Sequence, residues 1–139
     1  MSPSQDHTPV LATLSRALDR LRGSSVLIGI DGNACSTAWG SAETNSKRES
    51  IEDFIAQYNL KILNCPSNPT TYCSNIGTSN IDITLASGHA RQGVQNWLVE
   101  DGWTLSDHRV ITFQYTLKTN NCPQQPYTQN RYITRAETL

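Results

Sequence analysis

No stretch of this 139-residue chain is apolar for the roughly 20 residues that a membrane-spanning helix needs, so no such helix and no membrane partner is expected. The four cysteines, Cys35, Cys65, Cys73 and Cys122, form no C-x-x-C pair, and the three histidines do not cluster with them. The pattern therefore offers no zinc site. A secretory apolar segment is lacking as well, and the thiols read as reduced and structural. No block of Lys and Arg is present and the formal net charge is −1, so general attraction to nucleic acid is not indicated. That balance still admits an enzyme that grips DNA with a few loops. There is no internal repeat and no transit peptide. With 37% hydrophobic residues, the composition allows one domain with a modest core.

What is present reads as alternating helices and strands. Thr8 offers an N-cap and Pro9 a first helical residue. Leu11, Leu14, Leu18 and Leu21 then recur at helical spacing up to Gly23. A short apolar run, Ser25 to Ile30, comes next with the length and β-branching of a buried strand. A second helix is predicted over about 47–58, with Ile51, Phe54, Ile55 and Tyr58 as its buried stripe. Strands are expected over 60–63, 70–73, 79–85, 94–99 and 109–115, a turn at 75–78, and a loop over 86–93. Residues 118–139 are polar and read as a linker or extended tail. Helix followed by buried strand is an α/β signature, and ligands then tend to sit beyond the carboxyl ends of the strands.

Three polar signals interrupt this pattern. The first strand ends in Asp31-Gly32-Asn33, which puts a carboxylate and a carboxamide at a strand edge. On an extended chain those two side chains lean to the same side, and Gly32 lets the backbone approach a ligand. The same tripeptide is also a good turn. Asp82 interrupts the alternating run in which Ile81, Ile83 and Leu85 share one face. It marks either a functional site or the solvated face of an edge strand. Ser106-Asp107-His108 stands at the mouth of the last strand, where it could equally act as a cap. Trp39 is the one bulky residue of the 34–46 loop, and anchoring that loop by burying the indole is favoured over stacking on substrate.

In order and spacing these signals resemble the endonuclease/exonuclease/phosphatase family of Mg²⁺-dependent phosphodiesterases, with its D-x-N, S-x-I-D and S-D-H motifs. Trp39-Gly40-Ser41, Leu63-Asn64, Pro69-Thr70-Thr71-Tyr72, the run from Ser79 to Ser87, and Trp97 narrow the likeness. Together they look like the endonuclease of a LINE-type, jockey-like non-LTR retrotransposon. The resemblance runs from about residue 2 to 116 and covers about the C-terminal two-thirds of the family domain. The family's earlier Asn, metal-binding Glu and Tyr find no match before Asp31. Arg48-Glu49 stands where relatives often have Arg-Gly. A product truncated at both ends is the expectation, with residues 1–117 a partial domain.

The resemblance implies a partial four-layer α/β/β/α sandwich, deoxyribonuclease-like, that lacks the N-terminal part and leaves an apolar sheet face exposed. It implies DNA as the substrate, nicked in target-site cleavage, and Mg²⁺ as the cofactor, with Mn²⁺ as a substitute. Asp31 would orient or deprotonate the attacking water, and Asn33 would help hold Asp31 and the phosphate. His108 would donate to a phosphate oxygen, with Asp82 on its other ring nitrogen; the alternative makes His108 the base. Asp107 would serve the metal, while Thr71 and Ser106 match positions that touch DNA or phosphate. The reverse transcriptase region of the same polyprotein would be a partner, action would be nuclear, and no stable small-molecule ligand is expected. Without the family's Glu, the chain is expected to be inactive alone. The competing readings are a non-catalytic or partner-binding remnant and a phosphodiesterase for phospholipids or inositol phosphates.

Overall fold

The computed structural model describes residues 8–102 and 104–117. The expected tail, Cys122 and the side chain of Thr8 lie outside them. In chain order come α1 (Thr8–Arg20), β1 (Leu27–Asp31), a short 3₁₀ turn (Thr37–Trp39), α2 (Arg48–Gln57) and β2 (Lys61–Ile62). Next are β3 (Tyr72–Ser74), β4 (Gly77–Ser79), β5 (Asp82–Ala86), α3 (Gly88–Gly93), β6 (Val94–Val99) and β7 (Ile111–Tyr115).

The alternation of the strands builds two cores. β1, β5 and β2 form an antiparallel sheet in the order β1-β5-β2, so β5 is central. One face of that sheet carries Ile28, Ile30, Ile62, Ile83 and Leu85, which pack with Leu11 and Leu18 of α1 and Ile51 and Phe54 of α2. The opposite face carries Leu27 and Ala86, which together with Leu63 meet Val94, Trp97 and Tyr115 of the β6–β7 hairpin. Helices, sheet and hairpin thus stack as layers around two apolar seams.

Three expectations are corrected by this arrangement. The sheet does not expose an apolar face: the large apolar side chains exposed among the described residues are Val10, Leu21, Ile76, Leu98, Leu105, Val110 and Leu117, none on β1, β2 or β5. The hairpin covers part of that face, and Gly29, Asp31 and Thr84 occupy much of the rest with small or polar groups. The strand of Asp82 is not an edge, because β1 and β2 flank it on both sides. Residues 88–93 are helical, not a loop, although Gly at both ends disfavours helix. Fully buried Ala90 anchors that turn against Ala86 and Leu63, and tertiary packing overrides propensity.

The 75–78 turn is tighter than expected. β3 and β4 pair from Tyr72 with Ser79 to Ser74 with Gly77, which leaves Asn75 and Ile76 at the tip. The loop after β1 is anchored as expected. Trp39 is 1% exposed and its indole N–H donates to the Ala34 carbonyl at 3.1 Å. Ser36 caps the 3₁₀ turn by accepting from the Ala38 amide and also donates to Glu52 of α2 at 2.7 Å. Cys35, Cys65 and Cys73 are free thiols.

Candidate active site

Strand register does the first positioning. β1 and β5 pair so that Asp31 stands directly opposite Asp82, on the last rung of the ladder. Paired residues point to the same side of a sheet, so two carboxylates are brought side by side where their repulsion is unfavourable. Beyond Asp31 the chain departs from the extended tripeptide expected. Gly32 is buried, and a Cβ there would lie 3.0 Å from Ile51 Cδ1 and 3.3 Å from Ile83 Cδ1. The missing side chain makes room for the core, not for a ligand. Asn33 adopts φ +43°, a left-handed conformation that Asn tolerates, so strand alternation does not carry from Asp31 to Asn33.

The third group arrives from the far end of the chain. Tyr72 and His108 form an isolated antiparallel bridge, flanked by Cys73 N–H to Asp107 O at 2.8 Å and Arg109 N–H to Thr71 O at 2.7 Å. The Ser106 hydroxyl accepts from the His108 amide at 3.2 Å, and the Thr104 hydroxyl donates to the His108 carbonyl at 3.1 Å. The Tyr72 and His108 rings meet edge to face, centroids 5.2 Å apart. Held in this way, His108 Nδ1 lies 2.9 Å and 3.1 Å from the two carboxylate oxygens of Asp82. An ionised carboxylate only accepts, so with Asp82 charged this contact requires the proton on Nδ1. The neutral ring then keeps its lone pair on Nε2, which lies 3.9 Å from Asp31 Oδ2, beyond hydrogen-bond reach.

Asp82 is set from its backbone as well. The Thr71 hydroxyl accepts from the Ile81 and Asp82 amides at 3.2 Å and 3.1 Å, and Thr71 is fully buried. Asn64 mimics a neighbouring strand, donating to the Asp82 carbonyl and accepting from the Thr84 amide, both at 2.9 Å. Asn80 accepts from the Thr71 amide and donates to the Gly40 carbonyl, which ties the Trp39 loop to the same hub. Asn64 and Asn80 stand in the sequence within stretches that narrow the likeness, with no role assigned to either. Nothing in their spacing announces a carboxamide that replaces strand hydrogen bonds.

Burial pushes the Asp82 carboxyl above the ordinary range, against the opposing hydrogen bond and charge of His108 and a hydrogen bond from Thr71; nearby Asp31 pushes it further up. An acid raised in the folded state binds its proton more tightly there than in the unfolded chain. Its stabilising contribution is therefore complete below the unfolded value, about 3.9, and is lost as pH rises through the higher folded value. Asp82→Asn, which cannot ionise, is expected to gain stability over the parent as pH rises from about 3.5 to about 7. Urea midpoints of the two proteins at both ends of that range test this; a constant difference would show that burial of the charge carries no cost.

The structure thus brings together Asp31, Asp82 and His108, whose ligand atoms all lie within 4.8 Å of one another. Asp107 is outside that group among the described residues. It is exposed and lines a cavity of about 300 Å³ with Cys73, Asp101, Gly102, Thr104, Ser106 and Arg109. Ser106 is exposed, while the Thr71 hydroxyl faces the backbone of Asp82. One carboxylate buttressing an imidazole, with a second carboxylate across from the free ring nitrogen, is an arrangement suited to proton transfer and oxyanion stabilisation.

Known proteins share this architecture. The model of the endonuclease-reverse transcriptase family matches residues 1–112. The retrovirus-related Pol polyprotein from type-1 retrotransposable element R1 of Bradysia coprophila is 26% identical over 117 residues, 78% of this chain and 12% of that polyprotein. A putative 115 kDa protein in type-1 retrotransposable element R1DM of Drosophila melanogaster is 27% identical over 113 residues, 75% of this chain and 11% of that protein. The chain therefore spans only about a tenth of the length of these relatives. The solved endonuclease domain of TRAS1, a telomere-specific non-LTR retrotransposon, matches with a TM-score of 0.74 at 24% identity, over 86% of this chain and 56% of that one. That likeness shows a shared deoxyribonuclease-like fold. The chain belongs to the endonuclease-reverse transcriptase family.

Proposed function

We propose that the chain carries the imidazole–carboxylate part of a Mg²⁺-dependent, DNA-nicking phosphodiesterase site and is silent as a nuclease on its own. The convergence of His108 on Asp82 and Asp31 carries this reading. Asp82 fixes the proton on Nδ1 and supports positive charge on the ring. A protonated His108 would then present Nε2–H to a non-bridging phosphate oxygen, where charge grows during in-line attack. Asp31, with its side chain 51% exposed, would orient or deprotonate the attacking water, and Asn33 would help hold Asp31 and the phosphate. Ser106 would touch the DNA backbone, while Thr71 would act through Asp82.

The described residues fit a hard cation incompletely. Mg²⁺ prefers near-octahedral oxygen ligation, whereas one of the three converging donors is an imidazole and Asp82 is already bound to it. Asp107 would add a carboxylate, and the resemblance implies a Glu from an earlier part of the family domain. Attachment to a reverse transcriptase and a nuclear place of action belong to the same reading.

Nicking of supercoiled plasmid tests it. The purified chain is expected to give no Mg²⁺-dependent nicking above an EDTA control. The same residues, joined behind the N-terminal part of an R1-type endonuclease domain, are expected to nick in Mg²⁺. Nicking by the chain alone that requires Mg²⁺ and His108 would overturn the silence. A folded but inactive joined protein would overturn the nuclease assignment and favour a non-catalytic module.

A further inference from the structure

We propose that Arg109 is the positioning residue that holds His108 on Asp82, an inference that rests on the site reading above. The segment carrying His108 has little regular structure to hold it. One isolated bridge to Tyr72 and the two flanking backbone hydrogen bonds are its link to the 71–73 segment. On the other side, the Glu100 amide donates to the Val110 carbonyl at 2.9 Å, where β7 begins, and the bonds between are local, through Thr104 and Ser106. Between those two attachments the backbone makes few bonds, so a side-chain pin bears strongly on where the imidazole sits.

Arg109 supplies the pin. Its side chain is 19% exposed. Nη1 donates to the Thr70 carbonyl at 2.7 Å and to the Thr70 hydroxyl at 2.9 Å, while Nη2 lies 3.3 Å from Asp101 Oδ1. A planar guanidinium spreads donors in fixed directions, so a single side chain fastens residue 109 to the loop after β6 and to a segment 39 positions earlier. Thr70 is bonded in the chain to Thr71, whose hydroxyl holds the Asp82 amide. Arg109 and Asp82 therefore take their places from one dipeptide, and the distance from His108 to Asp82 is set through it. Asp101 is 74% exposed and contributes less than Thr70 does.

The ring tautomer of His108 reads this out without any requirement for nuclease activity. Long-range ¹H–¹⁵N correlation spectra of the full chain, recorded over a pH series, show which ring nitrogen carries the proton in the neutral imidazole. The parent is expected to hold it on Nδ1. Arg109→Met is expected to lose that preference while amide resonances of α1, α2 and β1 stay in place. Arg109→Lys is expected to recover part of it, and Arg22→Met, at an exposed ion pair, to leave it unchanged. In the joined, DNA-nicking protein, Arg109→Met is expected to lower kcat about tenfold or more with little change in KM. An unchanged Nδ1 proton in Arg109→Met overturns the proposal. Should Arg109→Met not fold, Arg109→Gln, which loses the guanidinium fork and leaves the Thr70 bond to Tyr72 in place, decides: a weakened Nδ1 preference supports the pin and an unchanged one overturns it. A parent chain lacking the Nδ1 proton overturns the proposal as well. An Nδ1 proton that needs Arg109, in a joined protein that never nicks, leaves this inference standing and removes the DNA-cleavage reading.

Discussion

On the proposed reading, His108→Ala is expected to lower Mg²⁺-dependent nicking by the completed domain about 10²–10⁴-fold, the range for a positioned proton donor or acceptor. The geometry adds a second expected consequence. Removing the imidazole leaves the Asp82 carboxylate, 18% exposed, without the Nδ1–H that lies 2.9 Å from it. A buried charge that loses its partner is costly, so His108→Ala also destabilises the chain near neutral pH. Adding Asp82→Asn removes that charge. The double variant is then expected to be more stable than His108→Ala and no more active than either single variant. Nicking rates and urea midpoints for the four members of the cycle measure both effects. Additive stabilities would mean that the imidazole and the carboxylate do not interact in solution. Full nicking by His108→Ala would remove this histidine from the mechanism.

Trp39→Ala costs about 3–5 kcal/mol of folding stability. Domains of this size have only about 5–15 kcal/mol in total, so the variant lies close to unfolding at room temperature. The indole is 1% exposed and packs in the same core as Ile51, Ile83 and Leu85. Its N–H bond to the Ala34 carbonyl is itself buried. Ala34, Ser36 and Trp39 are all buried, so the loop between Asn33 and Ser41 folds inward as a unit. Trp39→Phe keeps much of the packing and loses the hydrogen bond, for an expected cost of about 1–3 kcal/mol. Urea titrations followed by far-ultraviolet circular dichroism separate the two variants. A loss below about 1 kcal/mol for Trp39→Ala would mean that the loop does not depend on its anchor. Because Asn80 ties Gly40 to Thr71, loosening this loop is also expected to disturb the setting of Asp82.

The order of residues alone set the period of each element. Leu11, Leu14 and Leu18 at helical spacing specified α1, and Ile51 with Phe54 specified the inward face of α2. Alternation specified which side chains of β5 face the helices: Ile83 and Leu85 do, as their spacing required. Motif spacing also singled out Asp31, Asp82 and His108. Local pattern carries this much because side-chain direction is dictated by backbone period.

Folding in three dimensions settled what each of those residues meets. An alternating run does not say whether its strand is central or at an edge, because neighbours are chosen by pairing across long sequence separations. Only that pairing put β5 between β1 and β2 and Asp82 opposite Asp31. The short α3 helix formed against its own composition because Ala90 found a buried seam. Gly32 looked like a door for a ligand and is instead the space into which Ile51 and Ile83 reach. Thr71 looked like a group facing the substrate, yet its hydroxyl satisfies the Ile81 and Asp82 amides. The difference has one physical source. A buried amide must find an acceptor and a core must be filled, and both demands are met by whichever residues the fold brings near, however far apart they stand in the chain.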